Sequence, residues 1–432
     1  MNLLALDIGS SSVKAAAMRG EKVAGNVVRA EFATSYAEGR AEVDPAAILR
    51  AITQSIRQLG PAAKKVDLIA ATVMAPSWLA MNARGKALTP VVTHQDRRSV
   101  EIARQIELRV GKARHLKLAG NRPFPGGISS TTAAWFVREQ PQVMKRAATI
   151  GHFNTFLLHQ LTGRRLTDPS NASFTGFYRT TTLGGWGEEL CEAAGVRVDQ
   201  LPDIFEANQI AGTLSPQSAS KFGLLAGTPV LMGCMDTSAA MFAIGAKPGH
   251  LLNVCGSTDV LTVCTTTPHP HEKLLTRALG VGKKWMSVST LAAAGSTLTW
   301  AHRTLFAELS EEKFYATLRK LPPVEGALRF DPYLAGERTS IEQKQASFTG
   351  LTLSTTREQM LAAVVDGLAR ASAARLPLLK QVSRLSKSVT LSGGVAGELS
   401  HILHRDWGSG WQFHTRDELT ARGLARLAMS AT

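Results

Sequence analysis

The sequence predicts an α/β protein of two domains, and three observations carry that reading. The first is a pair of matching segments far apart in the chain, LLALDIGSSSVKAAA at residues 3–17 and HLLNVCGSTDVLTV at 250–263. Each starts as an apolar run that reads as a buried strand and breaks at a glycine followed by small hydroxyl residues. Each then resumes an apolar pattern, so both read as strand, tight turn, strand. Backbone N–H groups and hydroxyls at such a tip can cradle a phosphate, and two tips suggest two halves gripping one polyphosphate. The second observation is length, because 432 residues exceed what one core ordinarily supports. The third is the alternation of strand-like runs with helix-periodic stretches along the chain.

Strands are expected over 3–6, 12–18 and 22–28, followed by a helix that opens at Asp44-Pro45 and runs to Leu59. Asp44 is the N-cap there and Pro45 the first helical residue, where its missing N–H costs nothing. A strand is expected over 68–73, then a loop-rich stretch over 76–98 with a hairpin around 82–86. Helical periodicity marks 98–118, 131–139 and 153–161, and glycine-rich loops mark 120–127 and 184–187. Next come a strand over 228–232, a turn at Gly233 and a small-residue helix over 237–244. The domain junction belongs near 225–245, giving domains 1–232 and 233–432. Beyond the second hairpin a strand is expected at 285–289, with helices at 293–308 and 311–320. The loop DPYLAGERTS, a long helix at 357–381, a strand at 388–391, a Gly-Gly turn and a last helix after Leu419 complete the chain. No low-complexity segment or solenoid repeat appears.

An apolar fraction of 44% is ordinary for a globular protein and argues against disorder. No stretch approaches the roughly 18 apolar residues of a membrane helix. Asp7 interrupts the first apolar run and no basic region precedes it, so a signal peptide is not expected. The cysteines Cys191, Cys234, Cys255 and Cys264 lack CxxC spacing, which fits reduced thiols and a cytoplasmic location. The net charge of +15 suits a protein that attracts anionic substrates. Basic runs are only pairs, such as Lys64-Lys65 and Arg97-Arg98, so nucleic acid is not an expected partner. The GVGKK stretch at 280–284 lacks the first glycine and the Ser/Thr of a P-loop.

Asp7 ends the first strand beside Gly9. Such a carboxylate can hold Mg²⁺, often through water, or simply bond its own turn. Ser10, Ser11 and Ser12 can donate to phosphate oxygens, and Lys14 can neutralise charge. Asp236 follows Gly233 at the head of a small-residue helix. It can accept the proton of an attacking hydroxyl, or it can cap the helix. Gly393-Gly394, after a strand, would let a planar base approach the backbone, or is a plain strand-to-helix turn.

In order, these blocks carry a resemblance. DIGSSS, GCMD, NVCGST, AAAGSTLTW, DPYLAGERTS and LSGGVAG, with EVDPAAI at 42–48 and LTGRRLTDPSNAS at 161–173, resemble the FGGY carbohydrate kinases. The likeness is to xylulokinase- and ribulokinase-like members, within the actin-like ATPase superfamily. It implies two ribonuclease-H-like domains of the actin and hexokinase type flanking a nucleotide cleft, with ATP and Mg²⁺ as cofactors. The implied reaction transfers the γ-phosphate to a hydroxyl of a ketose or polyol. By position Asp236 corresponds to the catalytic base and Asp7 to a Mg²⁺-associated carboxylate. Ser10, Ser11, Ser12 and Lys14 fall on the first phosphate loop, and Gly256, Ser257 and Thr258 on the second. Gly295 and Thr299 match positions near the nucleotide, and Gly394 the adenosine motif. Glu398 stands where some members have an adenine-contacting Asn. The chain has Ala75-Pro76-Ser77 in place of a Met-His-Gly of xylulokinases, and HQDRRS lacks the Arg-Glu pair of glycerol kinases. Trp78, Asp96 and Arg97 are therefore the local candidates for sugar contacts, with Trp78 equally suited to the core. Related kinases are often homodimers. A heat-shock- or filament-type nucleotide-binding protein on the same fold, or a kinase that has lost turnover, is the competing reading.

Overall fold

The structure is a computed structural model that describes residues 1–432 apart from 325, 343, 394, 395 and 432, and all side chains except those of 396–398 as well. The chain divides into two compact units. One comprises Met1–Lys247, Cys264–Met286 and Glu418–Thr432, and the other Pro248–Val263 and Ser287–Asp417.

The main sheet of the first unit is built around Asn2–Ile8. That strand pairs antiparallel with Ser12–Arg19 on one side and parallel with Leu68–Val73 on the other. Pro229–Leu231 and Cys234–Met235 add to Leu68–Val73, both parallel. The period-2 alternation of the first strand sorts its residues onto two faces. Leu4, Leu6 and Ile8 join a core with Ile48, Ile52 and Ile56 of the helix Pro45–Leu59. Leu3 and Ala5 join a core with Ala239, Leu424 and Ala425, and Asp7 continues that second face. The helices Asp236–Ala243 and Leu419–Met429 lie there almost backbone to backbone. A Cβ on Gly423 would fall 1.8 Å from the Ala239 carbonyl oxygen, so this crossing needs glycine at 423. The final helix and the helix of Asp236, both beyond residue 232, thus belong to the first unit.

The same unit holds a second sheet in the order Thr149–His152, Ser77–Met81, Val91–Thr93, Arg40–Val43, Ser35–Ala37. The stretch expected as loop-rich therefore carries the strands Ser77–Met81 and Val91–Thr93, every residue of them buried. Only the turn between them behaves as expected, with Asn82 N–H bonding the Lys86 carbonyl at 3.0 Å.

In the second unit Leu251–Cys255 pairs antiparallel with Asp259–Thr265 and parallel with Ser388–Ser392, which pairs in turn with Gln412–Thr415. The helix expected over 357–381 is two helices, Arg357–Ala373 and Leu376–Val382, because Pro377 cannot sit inside a helix and opens a new one. The strand expected over 22–28 is likewise split into Lys22–Val23 and Val28–Glu31, with Gly25 at φ +97° between them. The helix Pro45–Leu59 has the expected start, with Asp44 accepting from Ala46 N–H at 2.9 Å.

Candidate active site

The parallel strands of the first unit end together, and the acidic residues stand at that end. Asp7, Thr72 and Cys234 share one row of the sheet, and Ile8, Val73 and Met235 the next. Asp236 follows at the first position of its helix. The carboxyl ends of parallel strands are where open α/β sheets present ligands.

Asp7 is held by two hydroxyls, Thr72 Oγ1 donating to Oδ1 at 2.7 Å and Thr420 Oγ1 to Oδ2 at 3.0 Å. Each carboxylate oxygen has lone pairs to spare, so the group can still accept from water around a cation. This donor set fits Mg²⁺, which keeps several waters and needs only one or two carboxylates beside substrate phosphates. Among the described residues no group of three His, Cys, Asp or Glu forms a protein cage for a metal.

Gly233 makes the approach to Asp236. Its φ is +68°, and a Cβ there would lie 2.1 Å from the Ala71 carbonyl oxygen. Met235, extended at φ −69° and ψ 157°, is the residue before the helix, and Asp236 is the first residue within it. The capping alternative is thus displaced by one position. Asp236 Oδ1 accepts from the N–H of the next residue, Thr237, at 2.6 Å and from Thr237 Oγ1 at 3.1 Å. That N–H is the second of the helix, one of the donors a capping side chain satisfies, so Asp236 serves it from inside the first turn. A half-buried carboxylate at a helix N-terminus is stabilised by the helix dipole.

Sequence reasoning missed what lies beneath Met235. The buried Asp168 accepts from Ser170 N–H at 2.8 Å, from the Ser170 hydroxyl and from Asn171 Nδ2 at 2.6 Å. Ser170 Oγ in turn accepts from Met235 N–H at 3.1 Å. Burial pushes the Asp168 carboxyl up to about 6, against the pull of its Ser170 and Asn171 hydrogen bonds. The Cys234 thiol is pushed well up by burial and by the charges of Asp168 and Asp236. The block TDPSNAS carried the signal for this cluster, since Asp-Pro at a helix start predicts a cap.

The first tip exposes Ser10 and Ser11, with Ser12 and Gly9 half-buried. Its carbonyls are tied back, Ser11 O accepting from Phe32 N–H at 3.0 Å and Ser10 O from Thr34 Oγ1 at 3.4 Å. Lys14 lies opposite Asp7 in the ladder and 3.8 Å from the Glu418 carboxylate. In the second unit the tip is tighter by one residue. Cys255 pairs with Asp259 across Gly256, Ser257 and Thr258, whereas Ile8 pairs with Val13. The N-terminus of the helix Gly295–Leu305 braces it. Gly295 N–H bonds Gly256 O at 3.0 Å, and the N–H groups of Ala294 and Ser296 bond Ser257 O at 2.8 and 3.2 Å. The amide of Gly295 therefore supports the tip. Thr299 is exposed one turn on, its hydroxyl bonding Gly295 O at 3.2 Å. Beneath this tip Asp259 is fully buried, paired with Arg375 and bonded by Asn253 Nδ2 at 2.5 Å. Neither Asp259 nor Arg375 was singled out in the sequence. Gly394 and the Glu398 side chain lie outside the described residues.

The expected sugar contacts are inward-facing. Trp78 is 1% exposed and packs on Phe136 with ring centroids 4.6 Å apart, so the core alternative holds and the ring offers no face to a ligand. Asp96 is 2% exposed and is taken up by Ala41 N–H and by Arg98 Nε, the latter at 3.0 Å from both carboxylate oxygens. Arg97 bonds the His94 and Asp96 carbonyls at 2.8 and 3.0 Å, and burial lowers its pKa against the pull of Asp96. The organising residue is Arg98, which joins Asp96 to Glu42 (2.5 Å) with its guanidinium 4.9 Å from the centre of the Trp135 ring. It thereby ties EVDPAAI to HQDRRS.

Known proteins match this arrangement along the whole chain. Residues 2–243 match the N-terminal domain, and 251–404 the C-terminal domain, of the FGGY family of carbohydrate kinases. The xylulose kinase of Escherichia coli (strain K12) is 25% identical over 441 residues, spanning 99% of this chain and 90% of that protein. The gluconokinase of Bacillus subtilis (strain 168) is 28% identical over 389 residues, spanning 85% of this chain and 74% of that protein. In fold, the ligand-bound xylulose kinase from Lactobacillus acidophilus superposes with a TM-score of 0.87 at 21% identity, covering 99% of this chain and 89% of that one.

Proposed function

The chain belongs to the FGGY family of carbohydrate kinases, and on that premise we propose that it phosphorylates a ketose, a sugar acid or a polyol with Asp236 as general base. The protein is an ATP-dependent sugar phosphotransferase, with ATP and Mg²⁺ as its cofactors. The observation that carries the finer reading is the shared sheet end. A carboxylate suited to magnesium, Asp7, and a carboxylate suited to proton transfer, Asp236, follow neighbouring strands.

Asp236 accepts the proton of the substrate hydroxyl as its oxygen bonds to the γ-phosphorus and the bond to the β–γ bridging oxygen breaks, releasing ADP. Asp7, through water, would hold Mg²⁺, which would supply neutralisation of phosphate charge. Ser10, Ser11, Ser12 and Lys14 of the first tip, and Gly256, Ser257 and Thr258 of the second, each offer amides, hydroxyls or charge suited to phosphate oxygens, with Thr299 near the second tip. Gly394 and Glu398 belong to the adenosine contact. A sugar-binding first unit, a nucleotide-binding second unit, a cytoplasmic location and a homodimer complete the proposal.

Relatives named for xylulose, gluconate and L-fuculose bound the substrate class. The test is ADP release with MgATP over D-xylulose, D-ribulose, D-gluconate, L-fuculose and xylitol. Stimulation by one of them, with the phosphate recovered on a hydroxyl of that compound, supports the reading. A rate indifferent to all five contradicts it and favours a nucleotide-binding protein without sugar turnover.

A further inference from the structure

We propose that Asp168 and Ser170 are positioning residues for Asp236, acting through the amide of Met235; this rests on Asp236 being the general base. A hydroxyl has one proton to give. Ser170 gives it to the Asp168 carboxylate, which turns its oxygen lone pairs toward Met235, whose N–H they accept at 3.1 Å. The direction of every bond is thus set by the ionised Asp168. That carboxylate is itself anchored by Ser170 N–H and Asn171 Nδ2.

The link joins residues 65 apart in sequence, and no cap requires it. Asp168 caps its own short helix Pro169–Ala172 through Ser170 N–H alone. The hydroxyl bond instead fixes the one residue that separates Gly233 and Cys234 from the head of the Asp236 helix. Met235 is held by the sheet on one side, where it pairs with Val73, and by Ser170 on the other. Asp168 and Ser170 are both 0% exposed. Gly280, at φ +114°, stands behind them, and a Cβ there would lie in ordinary contact, 3.4 Å from Asp168 Oδ2 and 3.6 Å from Ser170 Cβ. With both residues buried, the relay's bonds have no water to compete with them, and Asp236 is held to it through one peptide unit.

A base displaced by about 1 Å loses on the order of 10²-fold in rate. The test compares Ser170→Ala and Ser170→Cys with the wild type and with Asp236→Asn, using the best sugar of the five above. Ser170→Ala is expected to lower kcat by roughly 10- to 10²-fold with the KM for MgATP little changed. Ser170→Cys, which keeps the shape and a weak S–H donor, is expected to fall between. In both variants hydrogen exchange at the Met235 amide should quicken while the amides of Leu68–Val73 keep their protection. Added to Asp236→Asn, Ser170→Ala should cost nothing more. An unchanged kcat in Ser170→Ala, or an equal loss in the Asp236→Asn background, overturns the relay and leaves the base reading intact. Full turnover by Asp236→Asn overturns the base reading itself.

Discussion

Asp7 and Asp236 are the same residue type proposed for different work, and their surroundings differ accordingly. Asp7 receives two hydroxyl bonds that fix its carboxylate in place, as suits a group that positions a cation. Replacing Asp7 by Asn keeps the shape and removes the charge. The expected result is a kcat at least ~10-fold lower, with more Mg²⁺ needed for half-maximal rate and an unchanged melting temperature. An unchanged magnesium requirement would leave Asp7 a turn-binding residue. The sequence singled out Asp7 and Asp236 as acids near a glycine at a strand end, each also open to a turn or capping role, and both stand at one end of the sheet. Their supports were not legible there. Thr72, Thr420, Ser170 and Asp168 reach the site from segments scattered along the chain, and no local pattern relates them. Trp78 and Asp96 misled for the opposite reason, since an aromatic or an acid near a substrate loop has the same sequence appearance whether it faces in or out.

At the scale of elements, two contacts fix the parts proposed to meet the substrate and the nucleotide. The helix of Asp236 is held by the final helix through the close approach of Gly423 to Ala239. Gly423→Ala should force the helices apart at a cost of roughly 1–3 kcal/mol, lowering the melting temperature by a few degrees and kcat with it. A variant of undiminished stability would mean the two helices can part freely. The second hairpin is held by the buried Asp259–Arg375 pair, whose acid opens the strand after the tip. Arg375→Met strands that carboxylate and should cost about 3–5 kcal/mol, measured by chemical denaturation. The hairpins, the first helix and its cap followed directly from apolar runs and an Asp-Pro start. The break near Pro377 was also available in the sequence, whereas the buried strands Ser77–Met81 and Val91–Thr93 were hidden among Pro, Gly and charged neighbours that usually mark loops.

For the molecule as a whole, buried histidines set the response to acid. Burial lowers His152 to about 3 and His404 to about 4, so both stay neutral in the folded chain where the unfolded chain would bind protons. Stability therefore rises with pH between about 4 and 6.5. Asp168, raised to about 6, acts the other way, binding a proton in the folded state that the unfolded chain has released. Two groups against one leave a net loss of stability on acidification, and the melting temperature should fall from pH 7 to pH 5. A flat or rising profile would place those imidazoles in contact with water. The family was legible because several blocks, each weak alone, stand in one order along the chain. The specificity was not, because the departures at Ala75-Pro76-Ser77 and HQDRRS say what is missing without saying what replaces it. The central claim is that Asp236 takes the proton from the sugar hydroxyl, and single-turnover phosphoryl transfer from MgATP to the best sugar by Asp236→Asn tests it most directly. The account predicts a rate lower by roughly 10²-fold or more with the affinity for ADP retained; a rate within a few-fold of wild type would contradict it.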